Sequence, residues 1–294
     1  MRIAVIFNPS GAEEETEALR TEMEIRSIDA SIDAEWVETT EADPGSGQSR
    51  RAVDDGAELV IAVGGDGTVR SVAEGTVGSG VPLAVIPAGT GNLLAGNLQL
   101  PDNVEEALDI ALQGSPLTMD VGVVEGEIFT VMSGAGIDAA IMEETSGESK
   151  DRLGVLAYVV EGAKRIFDRP FRASFAADDE EPSNGSWATI LVGNLGQLQG
   201  GIDLFPDSSP HDGLLDLVGL ASESPLDTIA AGVSAATESE TSDRLVRRSG
   251  RVIKVEFESP TMYELDGDPR GEVNELVYEV RPSALVVMVK RTDR

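Results

Sequence analysis

Apolar residues in the first third of the chain come in short runs separated by longer, mixed stretches. Residues 3–7 (IAVIF) and 59–63 (LVIAV) are wholly apolar and of strand length, the second run stopping at Gly64-Gly65. Between them, residues 13–28 space Leu19, Met23 and Ile25 among acidic positions, as an amphipathic helix does. Residues 31–38 predict a second strand. Residues 50–55 belong to a short helix after a Gly/Ser-rich loop at 44–47. A helix over 68–76 and a strand over 82–86, ended by Pro87, follow. Residues 103–112 predict a helix with Asp102 as N-cap. Strands alternating with helices imply a parallel sheet covered on both faces.

The pattern changes near Pro116. Beyond it, strands are expected at 118–124, 128–133, 171–177, 187–193, 214–220, 252–257, 262–265, 273–281 and 285–290, with helical interruptions at 153–167 and 225–236. A run of many strands suggests a β-sandwich or a strongly curved sheet. Two domains are therefore expected, 1–116 and 117–294, with the C-terminal segment able to pack back on the first. The polar stretches 178–185 and 238–243 read as loops.

At 294 residues with 41% hydrophobic positions, the chain has material for two cores. No apolar run approaches the ~18 residues of a membrane-spanning helix, and residues 1–11 lack the long apolar stretch of a signal peptide. A cytoplasmic location is the expectation. With no cysteine there is no disulfide framework and no thiolate site. The formal charge of −31, with only four lysines, disfavours nucleic-acid binding and suits a halophile, because salt screens the self-repulsion. Arg244, Arg247, Arg248 and Arg251 read as a solvated surface.

Three strand ends carry candidate chemistry. Val63 runs into Gly64-Gly65-Asp66-Gly67-Thr68, where a helix should begin. Ligands bind at such carboxyl ends in open α/β sheets, and glycines let a backbone approach phosphate at a helix N-terminus. Asp66 would repel phosphate, which makes sense if it positions Mg²⁺ or a substrate hydroxyl. The plain alternative is a tight turn with Asp66 as N-cap. Pro87-Ala88-Gly89-Thr90-Gly91-Asn92 and Asn8-Pro9-Ser10-Gly11 end two further strands in the same way. A Walker A loop would need Gly-Lys, and the dinucleotide fingerprint is absent after the first strand. A single histidine, His211, excludes a multi-histidine metal site. In the second half, residues 205–214 gather Asp207, Ser209, Asp212 and Gly213, a polar turn with oxygen donors for a hard cation. Finally, Glu264-Leu265-Asp266-Gly267-Asp268 brings an acidic pair to a turn. The two aspartates share a face if the strand continues, and one could serve as a general base. The plain alternative is an acidic hairpin tip.

Taken in order along almost the whole chain, these residues resemble the diacylglycerol-kinase catalytic-domain family, which includes sphingosine and ceramide kinases. The matching elements are Asn8-Pro9-x-Gly11, Gly64-Gly65-Asp66-Gly67-Thr68, Pro87-x-Gly89-Thr90-Gly91-Asn92, Asp120-Val-Gly, Ser133-Gly-x-Gly-Ile-Asp138, Asp212-Gly213-Leu214 and Leu265-Asp266-Gly267-Asp268-Pro269. The resemblance implies an α/β nucleotide-binding domain with a parallel sheet, followed by a β-sandwich, with ATP between them. It implies ATP contacts from Asn8, Thr39, Gly64, Gly65, Asp66, Gly67, Thr68, Gly89, Thr90 and Asn92. It further implies Mg²⁺ at Ser209, Asp212 and Leu214, and catalysis by Asp66, Asp266 and Asp268. The expected activity is phosphoryl transfer to the hydroxyl of a diacylglycerol-like or isoprenoid lipid at the membrane surface, by a peripheral protein for which a homodimer is open. A NAD kinase-like soluble-substrate kinase and an inactive nucleotide- or lipid-binding regulator are the rival readings. Arg70 stands where the family often has asparagine. After Asn92, Leu93-Leu94 stand where the family commonly has an aspartate and an aromatic, and Asp268 stands where glutamate is common.

Overall fold

The computed structural model describes residues 1–27, 32–136, 170–198, 202–222 and 245–291. The expected helices at 153–167 and 225–236, the loop at 238–243, and Ile137 and Asp138 lie outside the described residues. Two compact units are present. The first comprises Met1–Val121, Pro210–Asp212 and Arg281–Arg294; the second comprises Gly122–Ser209 and Gly213–Val280.

In the first unit the chain forms β1 (Arg2–Phe7), α1 (Glu13–Ser27), β2 (Asp33–Glu38), α2 (Ser46–Asp54), β3 (Leu59–Gly64), α3 (Asp66–Thr76), β4 (Leu83–Pro87), α4 (Leu93–Asn97) and α5 (Val104–Gln113). β1 pairs in parallel with β2 and β3, and β3 with β4. Alternate residues of these strands (Ile3, Val5, Ile61, Val63, Ala84, Ile86) share one core with Leu19 and Met23 of α1 and Ala107, Leu108 and Ala111 of α5. α2 and α3 contact β1 and β3 and cross each other closely. A β-carbon on Gly75 would collide with Ser49 Oγ and the Ser46 carbonyl, so this helix pair requires hydrogen there. α5 is capped by Asn103, whose side chain accepts from Glu106 N at 3.0 Å; the cap is not Asp102. α2 starts four residues before its expected position, and α3 starts two before.

β5 (Ser115–Val124) runs from the first unit into the second, and it takes Pro116 into the strand where the sequence suggested a break. The second unit continues with β6 (Glu127–Phe129), β7 (Met132–Ala135), β8 (Phe171–Ala177), β9 (Ser183–Gly193), β10 (Gln197–Leu198), β11 (Ile202–Asp203), β12 (Leu215–Ala221), β13 (Leu245–Gly250), β14 (Val252–Leu265) and β15 (Asp268–Val289). β5–β6, β7–β9, β7–β14, β8–β9, β8–β14, β9–β12, β10–β11, β12–β13 and β14–β15 pair antiparallel. β14 gives residues 253–257 to β8 and residues 263–265 to β7. β9 divides itself between the same two partners. The pairing path thus closes on itself, as strands shared between two layers allow. The enclosed core is aromatic and aliphatic. Phe175 and Trp187 lie 4.8 Å apart between centroids, and Phe129 meets Tyr278 edge-on at 6.0 Å. β15 ends in the first unit, where Val287 pairs with Leu83 of β4.

Candidate functional site

Parallel pairing brings the carboxyl ends of β1 to β4 to one edge of the first unit. There β3 ends at Gly64, whose carbonyl accepts from Ala88 N at 3.0 Å. Gly65 follows in an extended conformation as the N-cap of α3, with no side-chain cap on the helix. The N–H groups of the first helical turn are therefore met by no capping side chain, and the helix dipole adds partial positive charge. Gly65 and Gly89 approach backbone to backbone. A β-carbon on Gly89 would stand 2.5 Å from Gly65 Cα, and one on Gly65 3.3 Å from Gly89 Cα. Thr68 is buried over Gly64, where a β-carbon would lie 2.7 Å from Thr68 Cβ.

Asp66 is the first residue of α3, not its cap. Its Oδ1 accepts from Leu93 N at 2.6 Å, and a β-carbon on Gly91 would collide with its other oxygen. Asp66 thereby fixes the second glycine loop to the first. That loop is closed on itself by Asn92, which sits at φ 48, accepts from Gly89 N at 2.9 Å and donates to Gly89 O at 2.8 Å. Thr90 is exposed at its tip. On the other side, Asn8 N donates to Val63 O at 3.2 Å, and Asn8 Oδ1 accepts from Ser10 N at 3.0 Å. Thr39 is buried, with its N–H on Phe7 O at 2.9 Å. Thr40 is exposed, and its hydroxyl accepts from Asp43 N. The residues suggested for ATP (Asn8, Thr39, Gly64, Gly65, Asp66, Gly67, Thr68, Gly89, Thr90 and Asn92) thus all stand at this edge.

In the second unit, Asp266 and Gly267 form the two-residue turn between β14 and β15, with φ of 48 and 89 and Leu265 opposite Asp268. Positive φ at both positions is the hairpin geometry that Asp-Gly favours. The strand does not continue through Asp266, so the two aspartates do not share a strand face. Asp266 is 2% exposed. Its Oδ2 accepts from Thr130 N (2.8 Å) and Thr130 Oγ1 (3.0 Å), and its Oδ1 from Val131 N (2.8 Å) and Met132 N (3.0 Å). Four donors fill the usual capacity of a carboxylate. Asp268 is half-buried at the start of β15.

Beside this turn lies an acid the sequence did not single out. Glu264 is 5% exposed, and its Oε2 accepts from Gly267 N at 2.6 Å. Burial pushes its carboxyl up to about 8, with smaller upward contributions from the charges of Asp266 and Asp268; the N–H groups of Gly267 and Gly134 oppose the shift. The available signal was Gly134, a residue without a side chain that stands opposite Glu264 on β7. Ser133 Oγ donates to Glu264 O at 2.7 Å and lies 3.2 Å from Tyr278 OH. Burial also holds the Tyr278 hydroxyl above its usual range.

On the loop before β12, Ser209 and Leu214 are half-buried, while His211 and Asp212 are exposed. Pro210 O accepts from Asp120 N at 2.7 Å, and buried Asp120 accepts from Ser283 N at 2.7 Å. Among the described residues no group of three or more Asp, Glu or His side chains is placed to hold a metal ion. Ser209, Asp212 and Leu214 offer a hydroxyl, one carboxylate and backbone carbonyls. This donor set fits a hard cation such as Mg²⁺ that keeps several waters.

Comparison with known proteins gives a consistent picture. Residues 2–124 match the diacylglycerol kinase catalytic domain, and residues 131–289 match the YegS C-terminal NAD kinase beta sandwich-like domain. A Citrobacter koseri protein named "Probable lipid kinase YegS-like" is 30% identical over 249 residues, covering 81% of this chain and 82% of that protein. An Alcanivorax borkumensis protein of the same name is 31% identical over 230 residues, 75% of each. The solved structure of a diacylglycerol kinase from Bacillus anthracis superposes with a TM-score of 0.76 at 20% identity, covering 98% and 97% of the two chains. That likeness speaks for the fold.

Proposed function

Since the chain belongs to the lipid-kinase family that joins a diacylglycerol kinase catalytic domain to a YegS-type sandwich, we propose that it transfers the γ-phosphate of ATP to the hydroxyl of a lipid. It is a phosphotransferase with an alcohol group as acceptor. The observation that carries the finer reading is the contact of two glycine loops. Gly65 and Gly89 touch through their backbones at the ends of neighbouring parallel strands, and Asp66 ties the pair together through Leu93 N.

Such loops can bring amide N–H groups to phosphate oxygens at the uncapped start of α3. Phosphoryl transfer asks mainly for positioning and for charge stabilisation of this kind. Asn8, Thr39, Thr68, Thr90 and Asn92 frame the same edge and would orient the nucleotide. Asp66 holds the two loops in register, so its loss removes the geometry as well as a charge. In the second unit, Asp268 is assigned the proton of the acceptor hydroxyl. Asp266, whose oxygens already receive four donors, is assigned the turn that presents Asp268. Ser209, Asp212 and Leu214 would hold Mg²⁺, which when bound supplies positive charge against the phosphates. The acceptor would be met at the bilayer surface, because its apolar tail keeps it in the bilayer.

The test is transfer of labelled γ-phosphate from ATP, with Mg²⁺ and high KCl, to a total lipid extract, with NAD in parallel. A labelled organic-phase product is expected, and its mass names the acceptor. Asp66→Ala should lower turnover by ~100-fold, the scale of losing one transition-state contact. Label on NAD alone would overturn the lipid reading in favour of a soluble-substrate kinase. ATP binding with no transfer to either would make the protein a regulator.

A further inference from the structure

Position 264 lies on a strand with Gly134 opposite it on one side and Pro269 on the other. Glycine leaves space where a side chain would stand, and proline brings no N–H. The Glu264 carboxyl reaches the hairpin, where Oε2 accepts from Gly267 N at 2.6 Å. Its main-chain carbonyl is held from β7 by Ser133 Oγ, in line with Tyr278 OH. The residue is therefore fixed at both ends, and its carboxyl grips the peptide between Asp266 and Asp268.

We infer that Glu264 is a positioning residue for Asp268, acting through Gly267. The inference rests on Asp268 being the base of the proposed reaction. An amide would make the same hydrogen bond, so the carboxyl adds one property, a proton that can leave. The titratable groups acting on it are Asp266 and Asp268 from the turn and Tyr278 from β15, while β7 presents the uncharged Ser133 and Gly134. Burial keeps the carboxyl neutral until about pH 8. Ionisation above that tightens the Gly267 hydrogen bond but adds a third negative charge beside two aspartates, which disfavours the negative charge of a transferring phosphate there. Activity is thus present below about pH 8 and lost as the pH rises through it.

The experiment is the kcat–pH profile, from pH 6 to about 9.5, of wild type, Glu264→Gln and Glu264→Ala, with melting and ATP binding as checks on the fold. Glu264→Gln keeps the acceptor for Gly267 N and cannot ionise. It should retain neutral kcat within about twofold and lose the alkaline fall. Glu264→Ala should lower kcat by at least ~10-fold with KM for ATP unchanged. An alkaline fall in Glu264→Gln identical to wild type would overturn the inference. So would wild-type kcat in a folded Glu264→Ala, and if that variant does not fold, the Glu264→Gln profile decides alone. Asp268→Asn separates the two readings. If it is inactive while the Glu264 variants behave as wild type, only the positioning role fails. Wild-type turnover by Asp268→Asn removes the base and the positioning role together.

Discussion

Each oxygen of the Asp266 carboxylate accepts two hydrogen bonds from residues 130–132, and this arrangement separates its role from that of its neighbour two positions on. In Asp266→Asn one oxygen becomes an NH₂ facing donors, which leaves buried groups unmatched and costs roughly 2–4 kcal/mol. Its melting temperature should therefore drop, with activity falling alongside. Asp268→Asn should melt like wild type and lose turnover by ~100-fold. If both variants lose activity without loss of stability, the division of roles between the pair is wrong. At this scale the sequence was informative about which residues matter and less so about what each does. Asp-Gly is a strong hairpin signal, yet a continuing strand gives the same spacing, and only positive φ at both turn positions distinguishes them. The donors to Asp266 lie about 135 residues away in the chain (separations of 134 to 136), so no local pattern could point to them. Glu264 was read only as the start of an acidic turn, because one more acid in an acidic chain carries no information until its burial is known.

The contact of α2 with α3 depends on Gly75, over which Ser49 and the Ser46 carbonyl close. Helix propensity alone favours Gly75→Ala by up to ~1 kcal/mol, while overpacking costs ~1–3 kcal/mol or more. The expected outcome of a denaturant melt is net destabilisation; a more stable variant would show that the helices can part without cost. Elements built on wholly apolar runs, such as β1 and β3, were legible because burial on both faces of a strand leaves that signature. Strands run past a proline in three places where the sequence pattern showed a gap. β5 contains Pro116, β14 carries Ser259-Pro260 where its register shifts, and β15 passes Pro282 and Ser283, the latter at φ 51 with its N–H on Asp120. The expected strands stop short of each of these positions, because local pattern cannot register a bulge or a distant acceptor that lets a strand continue. β13 went unread because its arginines hide any alternation. Arg248 pairs with Glu180 at 3.0 Å, and Arg247 donates to Leu204 O.

Across the whole molecule the dominant quantity is a formal charge of −31. Ion pairs such as Arg172–Glu258 and Lys254–Glu275 involve side chains about half exposed or more, where each contributes little. Raising KCl from 0.1 to 2 M should therefore raise the melting temperature, on the order of 10 °C, as screening removes self-repulsion. A flat response would mean that the charge is balanced by the fold and not by the solvent. The change in texture along the chain pointed to two units and left a return of the C-terminal segment open, but not its extent, residues 281–294, since return paths leave no periodicity. That return has a consequence for synthesis. Val287 lies beside Leu83, and Ala284 O accepts from Gly78 N, so β4 has a bare edge while the ribosome is still making β14. A nascent chain then holds both glycine loops on an unfinished sheet for most of its translation. A message truncated after codon 280 would leave a permanently open strand, ready to pair with other chains.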